Sequence, residues 1–194
     1  MIKIGLTGGI GSGKTHIANI FIELGIPVFN ADQVAKSLYD QPEVKHEVCS
    51  ILGSGVYQSY GLDRNLVAKI IFNNPEKLES LNKVIHPAVE KKFLYWADSL
   101  SGKSLVIKEA AILFETGNYR SLDYNILVVA PQKLRLKRVL ERDRLSKSEV
   151  QRRMKNQWSD EKKKGLADFI INNNETELLL PVVLEIYDKV LVAV

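Results

Sequence analysis

Apolar positions along the chain repeat with two alternating periods. Residues 2–6 form a short apolar-rich run that stops at Gly8-Gly9, the pattern of a buried strand. Ile17, Ile20, Phe21 and Leu24 then fall at i, i+3, i+4 and i+7, one face of an amphipathic helix. Gly25 ends that helix, and Pro27 opens a second short strand at Val28-Phe29. Strand, helix and strand in quick succession predict a βαβ unit, and with it a parallel sheet and a right-handed crossover. Helical spacing returns from Asp32 toward Tyr39, then at Leu66, Ile70 and Ile71, and past Asn74-Pro75 at Leu78, Leu81 and Ile85. Residues 53–61, rich in Gly, Ser and Tyr, read as a loop. The clearest later strands are residues 104–107 and 125–129. Leu134, Leu136, Val139 and Leu140 mark a basic helix, and residues 178–194 hold a last apolar helix or helix–strand end. Strands alternating with helices predict an α/β sheet wrapped by helices, with helical insertions.

Composition narrows this picture. The 194 residues are 45% hydrophobic and 26% charged, close to soluble globular averages, which excludes disordered and fibrous classes. A chain of this length is expected to form one domain with a core that needs no disulfide or metal. The one cysteine, Cys49, has no internal partner, which fits a reducing compartment. No apolar run reaches the roughly 18 residues of a membrane helix, and residues 1–6 are too short for a secretory signal. The expectation is a cytoplasmic protein without a membrane.

Charge is uneven. The net charge is +4, but residues 131–165 hold 13 Lys and Arg against 5 Asp and Glu, a local +8. Such a concentration implies either an anionic partner or a solvated helix pair. Trp158 is the only aromatic residue in that stretch, so no row of stacking platforms for nucleic acid is present, and no nucleic-acid partner is expected.

The strongest chemical signal is Gly8-Gly9-Ile10-Gly11-Ser12-Gly13-Lys14-Thr15, a full match to G-x-x-x-x-G-K-[ST] between a strand and a helix, where its mechanics require it. Glycines let successive N–H groups turn toward phosphate oxygens, and the following helix points its positive end at the same place. Lys14 reaches β- and γ-phosphates, and the Thr15 hydroxyl can hold Mg²⁺. The fold class expected is therefore a three-layer P-loop NTPase-type parallel sheet flanked by helices. GTPase switches, ATP-driven machines and small-molecule kinases share this loop; no Asn-Lys-x-Asp run reads guanine here.

Two further features bear on the choice. Asp32 follows the second strand, at the carboxyl edge where parallel sheets bind ligands. There it either accepts a proton from an attacking hydroxyl or caps the next helix. Arg135, Arg138 and Arg142 stand at i, i+3 and i+7 with Lys137 and Arg144 nearby. They form either a mobile flap that gathers phosphoryl charge and excludes water or a solvated face.

Taken together, these segments resemble the dephospho-CoA kinases, the kinases of the last step of coenzyme A synthesis, over nearly the whole chain. The resemblance rests on the glycine loop and its strand, Gly25-Ile26-Pro27-Val28 leading to Asp32, Leu62-Asp63-Arg64 with Phe72, and Leu81-Asn82 with His86-Pro87. It continues through Ile112-Leu113-Phe114-Glu115, Asp123, Arg138 with Arg142-Asp143, Gln157, Ala167-Asp168 and Asn173. It implies ATP-dependent phosphorylation of the ribose 3′-hydroxyl of dephospho-CoA, with Mg²⁺ and the partners ATP and dephospho-CoA; a monomer or weak homo-oligomer is expected, and the alternatives are another small-molecule or nucleoside monophosphate kinase and, further off, a nucleotide-dependent nucleic-acid-binding protein. It further implies a core at about residues 1–30, 104–130 and 166–194, an acceptor-side helical region at 31–103 and a basic helical lid at 131–165. Asp32 is then the base, with Lys14, Arg142 and Arg138 serving catalysis. Residues 8–15, with His16, hold the nucleotide phosphates, and Asn173 serves the adenine pocket. Arg64 and His86-Pro87 fall on the acceptor side, where an ion pair at a helix end and a buried histidine are the plainer readings. Glu115 either positions the acceptor or serves structure.

The chain departs from the family pattern in places. Asn30-Ala31-Asp32 stands where Asp-Ala-Asp is common, so the first carboxylate is missing. Thr15 and His16 replace the usual serine and a common threonine, Ala111 replaces a proline, and Glu175 stands where glycine often follows Asn174.

Overall fold

The structure, a computed structural model, describes residues 1–72, 74–143 and 145–192. The chain opens with β1 (Ile2–Gly8), α1 (Lys14–Glu23), β2 (Val28–Asn30), α2 (Ala31–Leu38) and α3 (Pro42–Leu52). A small hairpin, β3 (Tyr57–Gln58) and β4 (Gly61–Leu62), precedes α4 (Arg64–Phe72) and the long α5 (Pro75–Asp98). Then come β5 (Leu105–Glu109), β6 (Tyr124–Val129), α6 (Gln132–Asp143), α7 (Lys147–Lys155) and α8 (Asp160–Lys164). The last elements are β7 (Phe169–Asn172) and α9 (Leu179–Val192). Arg144 lies outside the described residues.

The chain divides into two compact units, residues 1–30 with 102–194, and residues 31–101. The first contains the parallel sheet, in the order β2-β5-β1-β6-β7. Both faces of that sheet are covered, which is why its strands are runs of apolar residues rather than alternating ones. Ile126 and Val128 of β6 join Ile4 and Leu6 of β1 in a core closed by Ile17 and Phe21 of α1 and Val183, Ile186 and Val190 of α9. The intervening Leu127 and Val129 point to the other face, where Phe114, Trp158 and Leu166 cover them. This period-2 split of one strand between two layers is the geometric content of the expected three-layer α/β fold.

At the amino edge of the sheet, two aspartates clip strands together. Asp123 accepts from the Lys3 N–H at 2.7 Å, and Asp168 accepts from the Asn125 N–H at 2.7 Å. Both belong to the set that carries the family resemblance, and both work in strand pairing. At the carboxyl edge β1 runs into the glycine loop, flanked by β5 and β6. β1 is the point where successive crossovers leave in opposite directions, the place where open parallel sheets hold ligands.

The second unit is helical. α2, α3 and α4 pack on α5, whose buried residues Leu81, Ile85, Val89, Phe93 and Ala97 recur every four positions, a single ridge along the helix. Asn74 caps α5 by accepting from the Lys77 N–H at 3.1 Å, and Pro75 follows it inside the first turn. Asp63 does the same for α4, accepting from the N–H groups of Asn65 and Leu66. Residues 53–61, expected as loop, hold a 3-10 turn and most of the β3–β4 hairpin. Strand β7 carries no pattern of its own. Four residues bounded by Asp168 and by Asn173-Asn174 become a strand because β6 offers a pairing edge.

Candidate active site

The loop between β1 and α1 is held from outside by side chains distant in sequence. The Ile10 carbonyl accepts from Arg135 Nε at 3.0 Å, and the Ser12 carbonyl accepts from Asn173 Nδ2 at 2.9 Å. Arg138 Nη1 reaches the Gly11 and Ser12 carbonyls, each at 3.4 Å. In a planar trans peptide the C=O and the N–H point to opposite sides. Drawing these carbonyls outward therefore turns the N–H groups of Gly11 and Gly13 inward. α1 begins at Lys14, directly after the left-handed Gly13, and its N-terminus adds its positive end to the same hollow. A concave set of N–H donors at a helix N-terminus follows, the standard physical basis of anion binding.

Glycine is required at two of these positions for distinct reasons. Gly13 has φ 94° and lies against the Asn173 amide, so a Cβ would be both strained and in collision. A Cβ on Gly9 would enter the guanidinium of Arg135, which cannot yield because it is fixed by Ile10 and Asp160. Lys14 Nζ donates to the Gly8 carbonyl at 2.9 Å, laying its ammonium back along the loop. Thr15 and His16 are exposed at the start of α1.

Arg138 is the hub of the outer side. Besides the loop carbonyls it donates to the Asn173 Oδ1 and carbonyl oxygen, each at 3.2 Å, and to Glu175 Oε1 at 3.0 Å. Glu175 adopts φ 67°, which explains why glycine commonly stands at this place in the family. In this chain the strained residue supplies a carboxylate to Arg138. Arg135 is deeply set, its side chain 11% exposed, and pairs with Asp160 at 3.1 Å.

Arg142 differs from its two predecessors. Its guanidinium donates to the neighbouring Asp143 at 2.6 and 2.9 Å and is 63% exposed. That hydrogen bond holds the Asp143 carboxyl below the usual carboxylate range and raises the arginine above its own. Asn173 has both ends of its amide engaged with the loop and Arg138.

Gln157, which carried the resemblance without an assigned task, and Glu115, read as positioning the acceptor or serving structure, have definite partners. Gln157 joins the Ile10 N–H to the Ala111 carbonyl. Glu115 accepts from the Trp158 N–H at 3.0 Å, and the buried Lys163 ammonium lies 2.8 Å from the same oxygen, as an ion pair outside hydrogen-bond geometry. Neither contact, nor the partners of Arg135, is signalled by local pattern. Across the sheet, Asn30 Nδ2 donates to Glu109 Oε2 at 2.6 Å, so the position lacking the family's carboxylate binds a buried one.

Asp32 stands in the first turn of α2, which opens the helical unit directly after β2, and is half-buried. Within that unit Arg64 donates to the Lys36 carbonyl at 3.1 Å and lies over the Tyr39 ring. His86 is half-buried on α5. A cavity of about 640 Å³ lies at the carboxyl ends of β6 and β7, with Arg135, Gln157, Trp158 and Asp160 in its walls and none of residues 8–15. No cluster of metal-ligating side chains occurs among the described residues, and no helix there is long and apolar enough to cross a membrane.

Known proteins resemble this chain in sequence and in fold. A sequence profile described as dephospho-CoA kinase matches residues 2–178. The dephospho-CoA kinase of Chlorobaculum tepidum is 39% identical, over 100% of this chain and 97% of its own length. That of Bacteroides fragilis is 34% identical, over 95% of this chain and 91% of its own. Among solved structures, TT1252 from Thermus thermophilus superposes with a TM-score of 0.85 at 33% identity, covering 99% of this chain and 96% of that one. A dephospho-CoA kinase from Campylobacter jejuni gives 0.70 at 27%, covering 97% and 96%. Shikimate kinase from Acinetobacter baumannii, at 17% identity and 0.55, covering 100% and 94%, shares the fold.

Proposed function

We propose how the work is divided in this molecule from one premise: the chain belongs to the dephospho-CoA kinase family. It is a kinase that takes a phosphoryl group from ATP and converts dephospho-CoA to coenzyme A. The acceptor is the 3′-hydroxyl of the ribose, a weak nucleophile. The chain must therefore bind polyphosphate, accept a proton, gather charge on the moving phosphoryl group and keep water away.

The observation that supports this reading most is the loop with its carbonyls held outward and its amides turned in. ATP phosphates lie on residues 8–15, at the start of α1 beside His16. Lys14 exchanges the Gly8 carbonyl for β- and γ-phosphate oxygens. Residues 31–103 receive the acceptor, and Asp32 takes the proton from its hydroxyl. Residues 131–165 act as the lid, and the Arg142 charge meets the transferring group. Arg138 and Asn173 hold the loop and border the space for the nucleoside. Transfer is then chiefly a matter of positioning and charge, as in phosphoryl transfer generally.

The donor set suits a hard divalent cation such as Mg²⁺. The Thr15 hydroxyl stands at the start of α1, and the Glu109 carboxylate, oriented by Asn30, ends the strand next to β1. Thr15, with Glu109, would hold such a cation, which would neutralise phosphate charge during transfer. The molecule works as a monomer or weak homo-oligomer, and without nucleic acid. Within its basic segment Arg135 is paired with Asp160, Arg138 with Glu175 and Lys163 with Glu115.

Asp32→Asn tests the assignment of the base. Turnover with dephospho-CoA is expected to fall about 10³-fold, while ATP affinity measured by calorimetry stays within about twofold of wild type. Normal turnover would remove Asp32 from that role. Running the wild type against nucleoside monophosphates and other alcohols in the same assay is expected to leave dephospho-CoA the preferred acceptor.

A further inference from the structure

The Ile10 peptide groups are gripped at both ends. The N–H donates to Gln157 Oε1 at 2.8 Å, and the C=O accepts from Arg135 Nε at 3.0 Å. Each grip is itself braced. Gln157 Nε2 donates to the Ala111 carbonyl at 3.2 Å, and the next N–H, of Trp158, is tied to Glu115. Arg135 is paired with Asp160. The short stretch 157–160 thus supplies one grip directly and steadies the other.

Ile10 needs such support. Gly8, Gly9 and Gly11 surround it, and glycine leaves neighbouring peptide planes cheap to rotate. The plane between Gly9 and Ile10 is fixed by two bonds: the Gly9 carbonyl accepts from the Ser12 N–H at 3.0 Å, and the Ile10 N–H rests on Gln157. Without the second bond this plane can turn. The adjoining Ile10–Gly11 plane would then be held only through the Ile10 carbonyl on Arg135, leaving the Gly11 N–H less firmly aimed at a phosphate oxygen. A primary amide suits the position because it accepts from Ile10 and donates to Ala111 at once. A carboxylate can only accept, and a thioether cannot donate and accepts only weakly.

We infer that Gln157 is a positioning residue for the phosphoryl donor, holding the Ile10 peptide so that the loop is set for polyphosphate before nucleotide arrives. The inference rests on the assignment of residues 8–15 to ATP given above. Gln157 acts through Ile10 and touches no reacting atom.

The full-length, nucleotide-free protein provides the test, as wild type, Gln157→Met and Gln157→Glu. Amide exchange at Ile10 is followed by NMR, and KM for ATP and kcat are then measured on each. In Gln157→Met, Ile10 exchange is expected to accelerate about 10-fold and KM for ATP to rise about 10-fold, the scale of one lost hydrogen bond. Exchange in β1 and β6 and kcat should stay within about twofold of wild type, which separates positioning from a loss of fold. Gln157→Glu, which keeps the acceptor, is expected to retain slow exchange at Ile10. Wild-type exchange and KM in Gln157→Met, or rapid Ile10 exchange in Gln157→Glu, would overturn the inference. A wild-type protein that fails to bind ATP would instead overturn the assignment of the loop, and shows itself before any variant is compared.

Discussion

The two ends of α6 use the same residue for different work. At the near end, Arg135 and Arg138 turn inward and donate to carbonyls of the glycine loop, with Asp160, Asn173 and Glu175 completing their environment. At the far end, Arg142 lies exposed against its neighbour Asp143. An exposed pair of adjacent residues is weak and screened, so Arg142 can change partner at little cost, whereas Arg135 cannot. Helical spacing puts three arginines in one row; their surroundings engage two of them with the glycine loop and leave the third exposed beside Asp143.

Substitutions along the row bear directly on this contrast. The largest effect is expected from Arg142→Ala. It should lower kcat with dephospho-CoA by about 10²–10³-fold and leave the urea unfolding curve unchanged. An unaltered kcat would reduce Arg142 to a solvated surface group and erase the difference between the ends. Arg135→Ala should act in the opposite sense. It strands the Asp160 carboxylate and frees the Ile10 carbonyl, so unfolding free energy is expected to drop by about 3 kcal/mol. Wild-type stability in that variant would mean that the near end is not scaffold. The smallest effect belongs to Glu175→Gly, which relieves a left-handed glutamate worth about 1 kcal/mol while giving up its ion pair with Arg138. The two changes nearly cancel, and a thermal melt within a few degrees of wild type is the expected result. A large drop would assign Glu175 a greater share in holding Arg138 than its exposed position suggests.

Much of this molecule is written in short segments of chain. β1, the glycine loop and α1 follow from an apolar run, a spaced set of glycines and an i, i+3, i+4, i+7 stripe, because each depends on residues within one or two turns of each other. Asn74-Pro75 and Asp63 set helix starts for the same reason, through side chains that satisfy amides two or three positions away. The resemblance to dephospho-CoA kinases rests on such segments, and the family profile and the relatives agree with it.

Other features have no local signature. The β3–β4 hairpin sits in a stretch of loop composition, and β7 is a strand by virtue of its neighbour. Asn30 reads as a lost carboxylate until its amide is found on Glu109, on the adjacent strand. Asn173 stands out by its likeness to the family, yet its grip on the Ser12 carbonyl spans almost the whole chain.

From the order of its residues alone, this chain was bound to make a parallel α/β sheet with a phosphate loop at one edge, since periodicity, glycine geometry and capping act over a few residues. Which arginines reach the loop, and that Gln157 meets Ile10, became decidable only once folding had brought positions more than a hundred residues apart within hydrogen-bond reach. Hydrogen bonds depend on distances of about 3 Å and on direction, and neither quantity exists until the chain is folded.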